Sequence, residues 1–313
     1  MPSFSVCLQK SMKYLITSIF LVGAAQIARA DITLPMPAPD QINRIELDGY
    51  EQLEELYESL DYTQQSWQEG KREVPRLFLQ TIPERWRSEI SDQVTVATKK
   101  RIFFRTLGPL ALLANEEIEF QRVALEKAIA DGDNTVITEL ATQYRVDGAP
   151  GDSTTIAELR ERINPVPPSL VLAQMAIESG WATSRFAALG NALFGQWTYD
   201  GEGITPEQQR THLGDYKIAS FRTPFGSVRA YLLNLNTHNA YADLRDMRAS
   251  DIAADRQSTG MELAEALIRY SERGEEYVKE VQAVIRQNGL QEVDNAVLEG
   301  QYYHLIPIGA TAQ

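Results

Sequence analysis

Residues 169–178 read Ser-Leu-Val-Leu-Ala-Gln-Met-Ala-Ile-Glu, a stretch apolar round nearly its whole circumference. A helix of that kind cannot lie on a surface, because it has no polar face to give to water. The stretch therefore predicts a helix enclosed by others. Pro167-Pro168 opens it, since proline suits a first helical turn, and Gly180 closes it as a cap. The chain must build a helical body round this segment, and must do so with Glu178 at the segment's end. The C-terminal pole of a helix carries partial negative charge, and burial disfavours an ionised carboxyl. Both raise the pKa of Glu178. A general acid working near neutral pH needs such a shift to hold its proton. A glutamate paired with an arginine, or capping a backbone group, is the purely structural alternative.

The rest of the chain supplies candidate partners for that helix. Residues 31–145 read as an N-terminal helical segment. It has a proline-rich extended start at 31–42, and then Tyr50, Leu53, Tyr57 and Leu60 on one helical face. Helical sequence runs from Arg87 to Ala130, with an interruption expected at Gly108-Pro109, and another helix from about Thr135 to Tyr144. Lys99-Lys100-Arg101 is a short basic run, read as a solvated helix face or a binding patch. Residues 146–168 carry Gly148, Pro150, Gly151, Pro165, Pro167 and Pro168, and mark the boundary to a second domain at 169–291. A short helix at 155–162 is expected within that boundary. In 196–222, glycines and a proline punctuate Trp197, Tyr199, Tyr216, Ile218 and Phe221, which reads as one or two hairpins. Helices resume at Thr223-Pro224, at the capping box Thr259-x-x-Glu262, and at Tyr277, Val281, Val284 and Ile285. Residues 292–313 form a tail with no periodic pattern. The fold class is mainly α, with a small β lobe.

Lys10 and Lys13, an apolar run from Tyr14 to Ala25, and Ala28-Arg29-Ala30 before Asp31 read as an export signal over residues 1–30. The run is short for a bilayer span, so no stable membrane insertion is expected after cleavage, and the periplasm is the expected location. Cys7 is the only cysteine and lies in that leader, leaving no disulfide and no thiol nucleophile. Loss of the leader removes three cations and takes the net charge from −13 to −16. Such an acidic chain is a poor binder of nucleic acid or of anionic lipid. His212, His238 and His304 are the only histidines, and no H-E-x-x-H, G-x-S-x-G or phosphate-binding loop occurs. Neither a metal nor an organic cofactor is expected.

Around Glu178 the motifs are more specific. Ala176-Ile177-Glu178-Ser179-Gly180-Trp181 is followed by Asn191-Ala192-Leu193-Phe194-Gly195, then the hairpin region, then Asn234 to Tyr241. This order resembles the peptidoglycan glucosaminidase family, which includes the muramidase-like domain of the flagellar protein FlgJ and several autolysins. With the helical stretch from Arg101 to Glu117, the pattern over about residues 95–290 is similar to the Bax-like proteins of Gram-negative bacteria. The resemblance implies a lysozyme-like α+β fold, with a helical body and a β-hairpin lobe across a cleft. It implies hydrolysis of the β-1,4 bonds of peptidoglycan glycan strands, with Glu178 as proton donor. It implies a second carboxylate in the lobe; counting back from Phe221-Arg222 reaches Gln208 and favours its neighbour Glu207, with Glu202 and Asp215 as alternatives. The lobe departs from the family's usual length and lacks its T-T-E pattern, so assistance by the substrate's acetamido group is the other route. Tyr241 matches the tyrosine lining the family's active site, or else packs in a helical corner. Trp181, Asn191, Phe194 and Trp197 are the candidate substrate-binding residues, Phe194 being better suited to the core and Trp181 equally suited to either. The rival readings are a lytic transglycosylase and a non-catalytic peptidoglycan-binding envelope protein.

Overall fold

A computed structural model describes residues 32–199, 201–207, 209 and 214–309. The export signal expected at 1–30, Gln208 and His212 lie outside these residues. The chain order is β1 (Ile42–Leu47), α1 (Tyr50–Ser59), α2 (Gln64–Gln68), β2 (Glu73–Leu79), α3 (Val96–Asp131), α4 (Asn134–Gln143), α5 (Ser153–Arg162), α6 (Pro168–Ser179) and α7 (Arg185–Gly190). The short strands β3 (Trp197–Thr198), β4 (Gly203–Ile204) and β5 (Lys217–Ala219) follow. Then come α8 (Pro224–Thr237), α9 (Ala242–Ala253), α10 (Gly260–Leu263), α11 (Glu275–Gln287) and β6 (Val297–Pro307). The fold is mainly α with small sheets, as expected for an α+β, lysozyme-like protein.

Helix α6 is the hub that its composition demands. Every residue from Pro168 to Ala176 is buried, and Leu170, Val171 and Met175 share one core with Leu110 of α3, Val228 of α8, Leu263 of α10 and Val281 of α11. Its N-terminus is held by Asp294, which accepts from the Ser169 backbone N–H (2.8 Å), the Ser169 hydroxyl (2.8 Å) and the Gly260 N–H (3.1 Å). A carboxylate there also answers the positive pole of the helix. At the other end Gly180 takes the left-handed conformation, with φ 57°.

Two expectations change. Gly108-Pro109 does not break α3, which runs unbroken for 36 residues. An interior proline costs roughly 3 kcal/mol through its lost N–H and steric clash. Here every residue from Thr106 to Ala114 is buried, and that packing outweighs the cost. The N-terminal segment is also not wholly helical. β1 and β2 both pair, in parallel, with β6 from the C-terminal tail, in the order β1-β6-β2. Leu47, Leu77 and Leu305 bring this sheet into the same core as α6.

The boundary region 146–168 is clamped by α9. Buried Arg248 donates to the backbone carbonyls of Glu161, Asn164 and Pro165 and to the Asn236 side chain, at 2.8–3.0 Å. Across the molecule, β3 and β4 flank β5 in an antiparallel sheet, and Ala192, Trp197, Tyr216 and Ile218 form its separate small core. Among the described residues no helix is long and apolar enough to cross a membrane.

Candidate active site

Glu178 stands one residue before the end of α6, with part of its side chain still accessible. Four tyrosines gather near it from three directions. Tyr277 comes from α11, Tyr270 from the 3-10 segment Ala264–Arg269 and its end, Tyr231 from α8, and Tyr241 from the corner after α8. Tyr270 and Tyr277 stack with centroids 5.1 Å apart, and Tyr241 lies 6.0 Å from Tyr270.

A directed hydrogen-bond chain ends on the carboxyl. The Tyr231 hydroxyl donates to the Gln174 carbonyl oxygen. The Gln174 amide donates to the Tyr277 oxygen at 2.9 Å, and the Tyr277 hydroxyl donates to Glu178 Oε1 at 2.6 Å. Each hydroxyl has one proton, so the order of donors is fixed once Gln174 is oriented by both tyrosines. Oε1 is thereby occupied as an acceptor, which makes Oε2 the oxygen suited to hold a proton when the carboxyl is neutral. Burial raises the pKa of Glu178 from 4.5 to about 7. The Tyr277 bond pulls it down, the nearby Glu280 carboxylate pushes it up, and Arg273 pulls it down. Glu280 is itself ion-paired with Arg273 at 2.7 Å. The site is thus a carboxyl poised to be protonated at neutral pH, with a second carboxylate close by on α11.

Replacing Tyr277 by phenylalanine is expected to move the alkaline limb of the pH–activity profile to higher pH. The lost hydroxyl stabilised the carboxylate, and without it Glu178 keeps its proton longer. Gln174 would also lose an acceptor in the core, costing about 1–3 kcal/mol in a thermal melt. A limb that stays put or moves down would refute the hydrogen-bond assignment.

The other sequence candidates divide. Tyr241 reaches the site: it is 2 % exposed, hydrogen-bonded to the Asn234 side chain, and close enough for the Glu178 charge to help raise its pKa. Phe194 is fully buried and stacks on Tyr231 at 3.8 Å, so it backs one member of the hydrogen-bond chain. Trp197 is enclosed in the lobe's core, stacked on Tyr216 at 4.1 Å. Asn191 is also buried, and its side chain is committed. Its carbonyl oxygen accepts from Thr81 Oγ1 (3.0 Å) and the Ile82 N–H (2.9 Å), and its amide donates to the Phe221 carbonyl (3.0 Å). It occupies the left-handed cap of α7 with φ 50°, a conformation asparagine tolerates. Trp181, also left-handed at φ 62°, turns its ring to Phe103 and Phe104, each 5.4 Å away, while its carbonyl accepts from Trp86 Nε1 at 3.1 Å.

Glu207 lies elsewhere in its surroundings. Its side chain is 83 % exposed, and its partner is Arg185 at 3.6 Å. No contact among the described residues joins it to Glu178. Glu280 and Arg273 are the charges that sequence reading missed, and Gln174 and Tyr277 the polar links. Gln174 was detectable as the one amide in the apolar run, four residues before Glu178 and so on the same helical face.

The arrangement also explains what the N-terminal segment does locally. Thr81, Ile82 and Trp86 grip Asn191 and Trp181, so the loop after β2 holds both motifs that flank the acid.

A glucosaminidase-family model, described as mannosyl-glycoprotein endo-beta-N-acetylglucosaminidase, matches residues 154–290, which include the whole Glu178 site. The chain is also 31 % identical over 198 residues to Protein bax of Escherichia coli (strain K12), an alignment covering 61 % of this chain and 70 % of that protein. No solved structure matches the chain. The fold and site thus define a glucosaminidase-type domain. The chain belongs to the Bax-like family of proteins that carry it.

Proposed function

We propose that the protein is a periplasmic endo-β-N-acetylglucosaminidase that hydrolyses β-1,4 bonds in the glycan strands of peptidoglycan. The observation that carries this reading is Glu178, held neutral to about pH 7 by burial and oriented by Tyr277. It serves as the acid: Oε2 protonates the glycosidic oxygen as the bond to the anomeric carbon breaks. Tyr241 and Tyr270 are buried close to the carboxyl, where the phenol of Tyr241 is suited to act on the acetamido group or on charge at the ring once the substrate is seated. Water completes the reaction with help from the acetamido group or from a lobe carboxylate such as Glu207. Enclosure by the tyrosines keeps the carboxyl away from bulk water, which favours its neutral form. The basic, then apolar, then Ala-x-Ala pattern of residues 1–30 supports export to the compartment holding this substrate.

One observation favours a second reading, a lytic transglycosylase. Glu207 is exposed and tied to Arg185, so the lobe carboxylate favoured as the partner of Glu178 is engaged elsewhere. Purified sacculi digested with the protein, followed by mass spectrometry of the fragments, separate the two. Reducing N-acetylglucosamine ends are expected. Anhydro-muramic ends would replace this reading with the second, and no fragments from folded protein would refute both.

A further inference from the structure

Lys99-Lys100-Arg101 belongs to the start of α3, away from the acid's hydrogen-bond chain. One turn on, Arg105 faces a groove of about 460 Å³ between α2, α3 and the turn after α11. Tyr62, Trp67, Phe104, Arg72, Arg101 and Arg105 supply its character. Two of its three arginines are neutralised within the protein. Arg72 pairs with Glu292 at 2.6 Å and lies 4.5 Å from the Trp67 ring centre, and Arg101 pairs with Glu54. Arg105 makes no hydrogen bond or ion pair with any described residue. It is half-buried, with the rings of Tyr62 (5.6 Å) and Tyr57 (6.0 Å) beside its guanidinium. The carboxylate acting on it, Glu54, is already paired with Arg101, so Arg105 has no carboxylate of its own. An unpaired, partly desolvated guanidinium is costly in the free protein and favours a planar anion as ligand.

The groove adjoins the acid's surroundings. Phe104 lines it and also touches Trp181, three residues past Glu178. Lys100 lies 5.0 Å from the Trp181 ring centre and donates to Asn288 of the groove wall at 2.9 Å. Lys100, Phe104 and Trp181 are all partly exposed and join the groove to the segment that follows Glu178 in the chain.

We propose that this groove is a binding site for a carboxylate of the peptide stem carried by peptidoglycan, with Arg105 taking the carboxylate and the Tyr62, Trp67 and Phe104 faces taking the peptide's aliphatic parts. The proposal rests on the glycan-strand reading for the nature of its ligand. A strand seated at Glu178 projects its acidic peptides sideways, and Arg105 is the groove arginine with no ion pair of its own.

Calorimetric titration of the full chain with the soluble stem peptide, freed from glycan by an amidase, tests it without turnover. Wild type is expected to bind the peptide. Arg105→Met is expected to weaken binding about tenfold or more, and Arg105→Lys less than that. The same peptide with its carboxylates converted to amides is expected to lose about the same factor on the wild-type protein, a measurement independent of any variant's folding. No binding by wild type, or equal binding of the acid and amide peptides, would overturn the proposal. Glycan cleavage without peptide binding would sink this inference alone, while peptide binding without cleavage would sink only the enzymatic reading.

Discussion

Glu178→Gln is expected to lower the rate of glycan release from sacculi by about 10²–10⁴-fold, the usual contribution of a positioned general acid. Glutamine is close to the same size and can still accept the Tyr277 hydroxyl, so the hydrogen-bond chain from Tyr231 is preserved. Only the transferable proton is lost. Residual turnover equal to wild type would remove Glu178 from the mechanism.

The same variant carries a second expectation of opposite sign. A carboxyl whose pKa rises from 4.5 to about 7 on folding is easier to ionise in the unfolded chain. Its neutral form costs little, so wild-type stability from this group is greatest below pH 4.5. Stability is then lost as pH rises from 4.5 to about 7, and the full loss persists above that. The loss amounts to about 3 kcal/mol. Glutamine never ionises and escapes it. Glu178→Gln should therefore melt higher than wild type at pH 8 and nearly level with it at pH 4. Loss of activity with a gain of stability at pH 8 would separate a catalytic acid from a structural glutamate, whose removal would lower both. On the proposed reading, wild-type glycan release should fall as pH rises through about 7, because the proton Glu178 would transfer is then gone.

Where the sequence was informative, local physics set the outcome. The run at 169–178 could only be an enclosed helix, and α6 is buried along nearly all its length. Thr259 caps its helix through the Glu262 N–H at 3.3 Å, and Gly180 is left-handed, because caps are decided by neighbours in the chain. The motifs round Glu178 and Tyr241 singled out two residues that the fold brings close together. The site was not legible at Tyr277, whose spacing with Val281 is what any buried helix face would have. Its hydroxyl meets Glu178 across 99 positions of sequence, and only the packing of α11 on α6 puts them together. Asn191 misled for a related reason: a polar residue in a motif reads as a ligand contact, whereas here it fastens the loop after β2 to the lobe.

The tail was the least legible part, and it carries the other large expectation. Residues 297–307 alternate weakly, with Gly300 in the left-handed region and a register shift opposite Pro75 and Arg76. A parallel strand pairs with segments far away in sequence, so no nearby turn advertises it. Yet β6 is the strand through which both β1 and β2 are paired. A chain ending at Ala296 would leave two parallel strands with no ladder and would open the core around Leu47, Leu77 and Leu79. We expect it to lose cooperative unfolding in a circular-dichroism melt and to be cut rapidly by protease. The milder Leu305→Ala, at a side chain with 0 % exposure, should cost about 2–5 kcal/mol. Exposed Gln301→Ala on the same strand should stay within about 0.5 kcal/mol of wild type. Activity should follow the sheet. The Gln80 N–H donates to the Leu305 carbonyl at 2.9 Å, and the next residues, Thr81 and Ile82, hold Asn191. Loosening β6 therefore frees the loop that fixes the motif beside Glu178. A truncated chain that melts and digests glycan like wild type would show that the N-terminal strands hold that loop without their central partner.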